Sequence, residues 1–310
     1  MISELFSATV LIGILASGIR LATPYLYAAI GETFGQRSGV LNLGVEGQML
    51  LGAFAAFYVA LLTGNLWLGV LAALIVGAIM GLAMAFVTVN LHAQQGISGI
   101  GFYLFGLGMS DLLFQMLLGK IVTINGFPKI NIPVLSSIPG LGDIFFKQTL
   151  LVYGAYLLVP LAWFVLNRTT LGLKIRSVGE NPDAADSLGV SVARVRYFTI
   201  ILGGALSGIA GASLSISLLN VFQQNMTSGL GFIAVALVYF GAWRPVGVLI
   251  GALLFSMVNS LQLWIQVLGI PIPSDIAVMM PYVLTIIVLV VSVSRVRAPS
   301  ALTRPFEREE

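Results

Sequence analysis

The sequence predicts an all-α membrane protein that crosses the bilayer many times, and its composition is the first reason. Of the 310 residues, 58% are hydrophobic and only 9% are charged, and the mean hydropathy is +1.01. Soluble domains usually carry about a quarter charged residues, so this chain cannot cover a water-exposed surface with polar groups. The 35 glycines fit the same class, because small residues let membrane helices approach each other closely.

The second reason is a series of hydrophobic segments, most of which reach the roughly 20 residues that a helix needs to span the hydrocarbon core. Nine such segments predict about nine transmembrane helices, within a range of eight to ten. They are residues 5–30, 40–62, 66–91, 97–119, 148–167, 197–219, 222–242, 246–268 and 276–294. We expect one membrane domain over residues 1–297 and a charged, frayed tail at 298–310.

The longest polar stretch, residues 172–190, lies between the fifth and sixth segments. Asn181 is a good helix N-cap, Pro182 suits the first helical position, and Asp183 favours the positive end of the helix. Gly189 is suited to end the helix. The stretch therefore predicts a short helix outside the membrane. It can be a solvated connector or a docking element for a partner, and the physics alone leaves both interpretations open.

The distribution of lysine and arginine predicts the orientation of the chain. If the loop at 168–196 is cytoplasmic, eleven basic residues fall inside and three outside, which is the bias expected of a membrane protein. The inner set is Arg37, Arg168, Lys174, Arg176, Arg194, Arg196, Arg244, Arg295, Arg297, Arg304 and Arg308, and the outer set is Lys120, Lys129 and Lys147. The C-terminus is then cytoplasmic and the N-terminus lies outside.

The seventh segment has a short continuous apolar part, residues 229–242. If it were re-entrant, the arginine-containing tail would lie outside, so we count it as a crossing whose first half can be broken. A weak internal repeat includes this segment: Ser38-Gly39-Val40-Leu41 is similar to Ser228-Gly229-Leu230-Gly231. The two copies run in opposite directions, as in the inverted-topology repeats of transporters. Chance similarity of glycine-rich apolar sequence is the alternative.

Polar residues within the predicted spans are candidates for function, because burying them in a membrane is costly. Asn42, Glu46 and Gln48 open the second segment amid two glycines, a pattern that favours an interrupted helix lining a cavity. A polar path lining and a structural hydrogen bond by Glu46 are both possible, and we favour the structural role. Ser98 and Asp111 are further candidates for the path. Arg20 can pair with Asp111, or each can meet a partner subunit.

Several kinds of chemistry are excluded or disfavoured by what the sequence lacks. There is no cysteine and only one histidine, His92, so neither a metal site nor a catalytic group is expected. No phosphate-binding loop of the form G-x-x-x-x-G-K-[ST] occurs. If the chain uses ATP, the nucleotide and its Mg²⁺ must be bound by another subunit, and no cofactor is expected here. Membrane lipid is an expected partner, and nucleic acid is not.

Three stretches together resemble the permease subunits of ABC importers of the ribose/branched-chain amino acid type. They are SGVLNLGVEGQMLLGAF from residue 38, GLKIRSVGENPDAADSLGV from residue 172 and GLGFIAVALVYFGAWRPVGVLIGALLF from residue 229. The opening Asn-Leu-Gly-Val-Glu-Gly pattern is most similar to the nucleoside branch, associated with basic membrane proteins. The similarity covers most of residues 35–295.

This resemblance implies a type II importer-like fold in the plasma membrane and a coupling helix that sits in a groove of an ATPase. The implied coupling residues are Gly179, Glu180, Asn181, Pro182, Asp183, Ala184, Ala185, Asp186, Leu188 and Gly189. It also implies three partners: an ATP-binding subunit, a second homologous permease that makes a heterodimer, and a substrate-binding lipoprotein outside the cell. Nucleosides are the expected solute, and Phe34, Tyr103 and Phe105 are aromatic candidates for contact with it. A permease for a simple sugar such as ribose and an ion-coupled secondary transporter are the alternatives.

Overall fold

The computed structural model describes residues 7–133, 135–269, 273, 276, 279–281, 283–284, 286–287, 290 and 297–307. Long helices dominate this part of the chain, as predicted. The helices are α1 Ala8–Arg37, α2 Val45–Thr63, α3 Leu66–Ala85, α4 Gln95–Leu117, α5 Leu141–Phe145, α6 Leu150–Arg168, α7 Thr170–Glu180, α8 Pro182–Ser187, α9 Val192–Ser213, α10 Leu230–Phe240 and α11 Pro245–Val267. Two of them end in π-helical turns, α3 at Phe86–Asn90 and α9 at Leu214–Leu218.

Seven helices of the described residues are long and apolar enough to cross a membrane: α1, α2, α3 with its π turn, α4, α6, α9 with its π turn, and α11. Each coincides with one of the predicted segments. The predicted count of nine is not confirmed. The ninth segment, 276–294, lies largely outside the described residues, and the seventh is not one continuous helix.

That seventh segment is half loop and half helix. Residues 220–229 are irregular, and α10 has only 11 residues, about 16 Å at 1.5 Å per residue. The irregular half exposes Gln223, Gln224, Asn225 and Ser228 but also anchors in the core. Phe222 and Thr227 are both fully buried, and the Phe222 ring packs against Phe54, Phe57 and Phe114. The break that we allowed in this segment is therefore present, and that the segment crosses the membrane remains a prediction.

The centre of the bundle is α9, which packs against α1, α2 and α3. Small residues make this possible. A Cβ added to Gly52 of α2 would lie 2.5 Å from the Cα of Gly208 in α9, and one added to Gly81 of α3 would lie 2.7 Å from the Ile200 carbonyl oxygen. The main chains of these helices are thus nearly in contact, as expected of membrane helices joined through small residues.

The 120–147 connection, expected to be an irregular cap, contains a small hairpin. Strand β1, Lys129–Asn131, pairs antiparallel with β2, Lys147–Thr149, and α5 lies between them. Its ends are tied to the loop after α9, since Ile124 N donates to Asn220 O at 3.0 Å and Phe127 N to Ile216 O at 3.1 Å. This end of the bundle lies opposite the one where α1 ends at Arg37, which we call the basic end. Arg37, Arg168, Arg176, Arg196 and Arg244 lie there.

The tail was expected to be frayed, and for residues 297–307 this expectation is wrong. Ala301 is 4% exposed. Ala301 N donates to Gly179 O at 2.9 Å, and Thr303 N donates to Gly39 O at 3.1 Å. The tail is charged, but its main chain binds two glycine carbonyls of the bundle, so it is docked. The residues beyond 307 lie outside the described part.

Candidate functional site: an exposed capped helix and a buried polar junction

The segment 179–189 forms the short helix that local sequence predicts. Asn181 is the N-cap of α8, and its Oδ1 accepts a hydrogen bond from Ala184 N at 3.0 Å. Pro182 occupies the first helical position and Asp183 the first turn. Gly189 follows the helix with φ +82°, the left-handed conformation that favours glycine at a helix end. The local capping predictions are therefore confirmed.

Segment 179–189 presents polar and apolar side chains to its surroundings. Leu188 is 85% exposed, the most exposed large hydrophobic side chain among the described residues. Exposed residues besides it are Glu180, Asn181, Asp183, Ala184, Ser187 and Gly189. Ala185 is buried and packs toward the bundle. An isolated exposed leucine needs no special explanation, but one at the end of a capped helix fits a surface that a partner covers.

The segment is tied to the bundle at its start, through Gly179. This glycine lies so close to the Arg37 carbonyl at the end of α1 that an added Cβ would collide with it. Gly179 O also accepts the hydrogen bond from Ala301, and Ser300 Oγ donates to Glu180 Oε2 at 3.1 Å. The segment therefore has α1 on one side and the docked tail on the other.

The second candidate region is a buried junction where α2 and α10 begin. Glu46 is 1% exposed and accepts hydrogen bonds from Thr227 Oγ1 at 2.6 Å, Gly229 N at 2.6 Å and Gly231 N at 2.5 Å. A carboxylate at a helix N-terminus is favourable, because the free N–H groups and the helix dipole stabilise negative charge there. Glu46 therefore caps α10 from a position more than 180 residues earlier, which is the structural role that we favoured for it.

Glycines make this junction possible. Gly229 has φ +90° and serves as the N-cap residue of α10. A Cβ on Gly231 would lie 2.6 Å from the Cα of Glu46. The other copy of the repeated motif shares the positive φ of its glycine and the hydrogen bond of its serine hydroxyl, although φ is −92° at Ser38 and +44° at Ser228. Gly39 has φ +92°, and the hydroxyls of Ser38 and Ser228 each donate to the carbonyl three residues earlier, Gly35 at 2.7 Å and Asn225 at 2.9 Å.

A chain of polar side chains supports residues 38–44, which lead irregularly into α2. Asn42 Nδ2 donates to Gln48 Oε1 at 3.2 Å, and Asn42 N donates to Glu32 Oε1 at 3.0 Å. Glu32 also accepts from Gln36 Nε2 at 2.9 Å and is 2% exposed. Sequence reasoning did not single out Glu32, because the first segment was ended at residue 30. The available signal was that Glu32 lies four residues before Gln36, so the two side chains share a helix face if the helix continues past residue 30.

The remaining predicted path residues lie on α4. Gln95, beside them, accepts from Leu41 N at 2.8 Å and so also holds the lead-in to α2. Ser98 is half-buried, and Asp111 Oδ1 is buried without a hydrogen-bond partner among the described residues. No ion pair joins Asp111 to Arg20 in the described part of the chain. The two residues lie on helices that pack on different neighbours, α4 against α2 and α3, and α1 against α9 and α11.

The three aromatic candidates for contact with the solute differ in their exposure. Phe34 is 4% exposed and belongs to the core, whereas Phe105 points outward at 52% exposed. Tyr103 is half-buried, and its ring meets that of Phe232 edge to face, with centroids 5.1 Å apart. The Tyr103 main chain lies against Gly47, next to the Glu46 junction. Among the described residues no group of three or more metal-ligating side chains comes together.

Comparison with known proteins agrees with this architecture. A family model described as "Branched-chain amino acid transport system / permease component" matches residues 14–289. No solved structure matches the chain.

Three relatives match nearly end to end. A Haloferax volcanii protein provisionally named as a glucose ABC transporter permease is 38% identical, over 96% of this chain and 98% of its own. A nucleoside ABC transporter permease protein of Lactococcus lactis is 38% identical, over 93% of this chain and 94% of its own. A guanosine ABC transporter permease protein of Bacillus subtilis is 36% identical, over 92% and 93%, and a second guanosine permease protein of that organism is 27% identical.

Proposed function

Because the chain belongs to the family of permease components of branched-chain amino acid transport systems, we propose that it is the membrane-spanning subunit of an ABC importer for nucleosides. The chain would form half of the translocation path and would couple it to a separate ATPase. The observation that carries the coupling role is the capped helix at Pro182–Ser187, which lies between α7 and α9, exposes Asp183, Ala184 and Ser187, and packs on the bundle through Ala185.

The nucleoside assignment is supported by two of the relatives described above, whose names specify nucleosides or guanosine. The pair of partly accessible rings, Tyr103 and Phe232, is consistent with it, because a planar base can stack on an aromatic side chain. A sugar permease is the second candidate, and the Haloferax relative favours it at the same 38% identity. The two candidates share the fold and the coupling mechanism and differ only in the solute.

The proposed mechanism follows the contacts of segment 179–189. When the ATPase closes on ATP, it would press on residues 181–188. The segment lies between α7 and α9, and α9 is the helix against which α1, α2 and α3 pack. A push on the segment would therefore tilt α9 together with these neighbours and switch the cavity from outward-facing to inward-facing. The Glu46 junction would move as a unit, because it joins the first turn of α2 to that of α10.

The proposal includes three partners and an orientation. The ATP-binding subunit would take segment 179–189 in a groove. A second, homologous permease would complete the path, as the two guanosine permease proteins of Bacillus subtilis suggest for that organism. A binding lipoprotein would deliver solute on the outer side, and the basic end with the C-terminus would face the cytoplasm. This chain would contribute no ATP hydrolysis of its own.

Purification of the chain from native membranes in a mild detergent, with mass spectrometry of the proteins that come with it, tests this assembly. We expect an ATPase, a second permease and a nucleoside-type binding lipoprotein. A sugar-type binding protein would favour the second candidate. A chain that purifies alone even after crosslinking would contradict the ABC assembly, and uptake that responds to a collapsed ion gradient but not to ATP depletion would favour the secondary transporter.

A further inference from the structure

Three arginines lie together at the basic end, where Glu180 is the one acidic side chain that lines the same space in the described part of the chain. Arg37 ends α1, Arg176 lies on α7, and Arg244 is the N-cap residue of α11. Arg176 and Arg244 both lie close enough to Arg37 to repel it, and Glu180 is the acidic group that acts on it from nearby. Within the described part of the chain none of the three forms an ion pair. Positive charge held together in this way favours an anion between the side chains.

The arginines line two adjoining cavities of about 500 and 490 Å³. Arg37, Trp243 and Arg244 line both. The first cavity adds Trp163 and Arg176, and the second adds Glu180 and Arg297. Four cationic side chains and one acidic side chain therefore surround this space. It is large enough for a phosphate together with the group that the phosphate bears.

The walls of these cavities are rigidly built. Arg37 Nε donates to Trp243 O at 2.8 Å, and Trp243 Nε1 donates to Gln36 Oε1 at 2.7 Å. Ala242 and Trp243 have φ +53° and +54°, a left-handed conformation that non-glycine residues seldom adopt. Such strain persists only where the surroundings enforce it, and it is concentrated at functional sites. The turn between α10 and α11 thus brings the main chain next to Arg244 into contact with the Arg37 side chain.

The cavities also border a surface suited to lipid. Trp163 is 41% exposed and Val246 48% exposed at the rim, and the Arg168 guanidinium lies 5.9 Å from the Trp163 ring centroid. Helix α7 is amphipathic: Ile175 is buried against the bundle, while Leu173 is 60% exposed. Tryptophan, arginine and an amphipathic helix at the ends of spanning helices are typical of the membrane–water interface.

We propose that the cluster Arg37, Arg176, Arg244 and Arg297 is a binding site for the phosphate of an anionic phospholipid. The acyl chains would lie along the exposed apolar surface around Trp163 and Val246, and the phosphate would sit between the guanidinium groups. Basic pockets between membrane helices bind anionic headgroups in this way. The inference goes beyond the transport function. It uses the proposed orientation only to say which leaflet of the membrane supplies the lipid.

The test is a lipid titration of the delipidated, purified chain, with the thermal midpoint as readout. We expect phosphatidylglycerol to raise the midpoint at concentrations where phosphatidylcholine and inorganic phosphate do not. The double variant Arg176→Gln/Arg244→Gln should need roughly 10- to 30-fold more phosphatidylglycerol. The charge-matched control Lys174→Gln/Arg194→Gln, whose residues are exposed and line neither cavity, should titrate like the wild type.

A second variant keeps the test decisive if the double variant does not fold. Glu180→Gln removes the one acidic side chain that lines the cavities, so phosphatidylglycerol should bind a few-fold more tightly. Equal stabilisation by phosphatidylcholine, or unchanged titration in both Arg176→Gln/Arg244→Gln and Glu180→Gln, would overturn the proposal. Equal stabilisation by inorganic phosphate would overturn the lipid assignment, because the anion would then be a soluble one.

Discussion

Two short helices in the described part of the chain, Pro182–Ser187 and α10, are capped in different ways. The helix at Pro182–Ser187 is capped by its own neighbours in sequence, and half of its residues are exposed. Helix α10 is capped by Glu46, from another helix, and the capping carboxylate is buried. The first can change its surroundings without losing its structure. The second cannot separate from α2 without leaving buried polar groups unpaired.

The difference indicates a division of roles. We expect the exposed segment to receive force from a partner and the buried junction to keep the membrane helices together while they move. Variants in the two regions should therefore affect two different measured quantities, transport and stability. Changes on the exposed face of the segment should lower transport with little loss of stability, whereas changes in the junction should lower stability itself.

The largest expected effect comes from blocking the exposed face of segment 179–189. Ala184→Trp, or Glu180→Lys, should abolish nucleoside uptake, because a bulky or charge-reversed surface cannot enter the groove of the ATPase. Membrane insertion and the thermal midpoint should stay at the wild-type level. Uptake by cells with equal amounts of each protein in the membrane measures this, with Ala184→Ser as the matched control. Normal uptake in both variants would remove the docking role.

The buried junction gives the largest expected effect on stability. Glu46→Ala leaves one hydroxyl and two N–H groups buried without an acceptor, so we expect a loss of about 3 kcal/mol in the free energy of unfolding. Unfolding in mixed detergent micelles measures it. Asp111→Asn, which changes a buried carboxylate with a free oxygen, is the control and should cost far less. Equal losses in the two variants would contradict the capping role.

Solute affinity should change when a residue beside the Glu46 junction is substituted, and should stay the same when segment 179–189 is substituted. Tyr103→Leu removes one ring of the pair next to Gly47, and we expect nucleoside half-saturation to rise roughly 5- to 100-fold if a base stacks there. Concentration-dependent uptake measures it. Phe105→Leu, on the outward face of the same helix, should leave half-saturation unchanged. If both variants behave alike, the stacking site lies elsewhere.

A glycine at the start of the segment provides a sharper test of the contact with α1. Alanine normally stabilises a helix relative to glycine by about 0.5–1 kcal/mol. At Gly179 the added Cβ meets the Arg37 carbonyl, so Gly179→Ala should instead destabilise by about 1–2 kcal/mol and reduce uptake. Gly101→Ala, where the added Cβ meets nothing, is the matched control. A stable, active Gly179→Ala would show that α7 does not press on α1.

The smallest expected effect is that of the docked tail. Deleting residues 298–310 removes the hydrogen bonds to Gly179 and Gly39, each contributing about 1 kcal/mol. We expect amide hydrogen exchange in residues 179–188 to accelerate about 3- to 10-fold, with uptake reduced but not abolished. Deletion of 308–310 alone is the control. Unchanged exchange after the longer deletion would mean that the tail does not support the segment.

How much of this architecture the sequence predicts depends on where each partner lies along the chain. Asn181 and its acceptor role could be predicted, because the amide it binds is three residues away. Glu46 was recognised as a buried acid, but its partners Thr227, Gly229 and Gly231 lie far off in sequence, and composition carries no signal for such pairing. The repeated Ser-Gly motif precedes both α2 and α10, but it carries no signal for the contact between these two helices.

Each wrong or missed prediction can be traced to particular residues. The charged residues of the tail predicted exposure, but its docking depends on main-chain hydrogen bonds to Gly179 and Gly39, which no side chain reveals. Glu32 was missed because hydropathy placed the end of the first segment at residue 30, about two turns before α1 ends at Arg37. The nine-segment count took residues 222–242 as a crossing whose first half can be broken, and the structure has this half irregular, with Phe222 buried among three aromatic rings.

Uptake by the native host with and without this chain tests the central claim most directly. We expect a deletion strain to lose uptake of labelled guanosine or uridine while glucose uptake stays normal. Wild-type protein should restore uptake and Ala184→Trp should not. Unchanged nucleoside uptake in the deletion strain, with loss of glucose uptake, would contradict the assignment of this chain as a nucleoside permease.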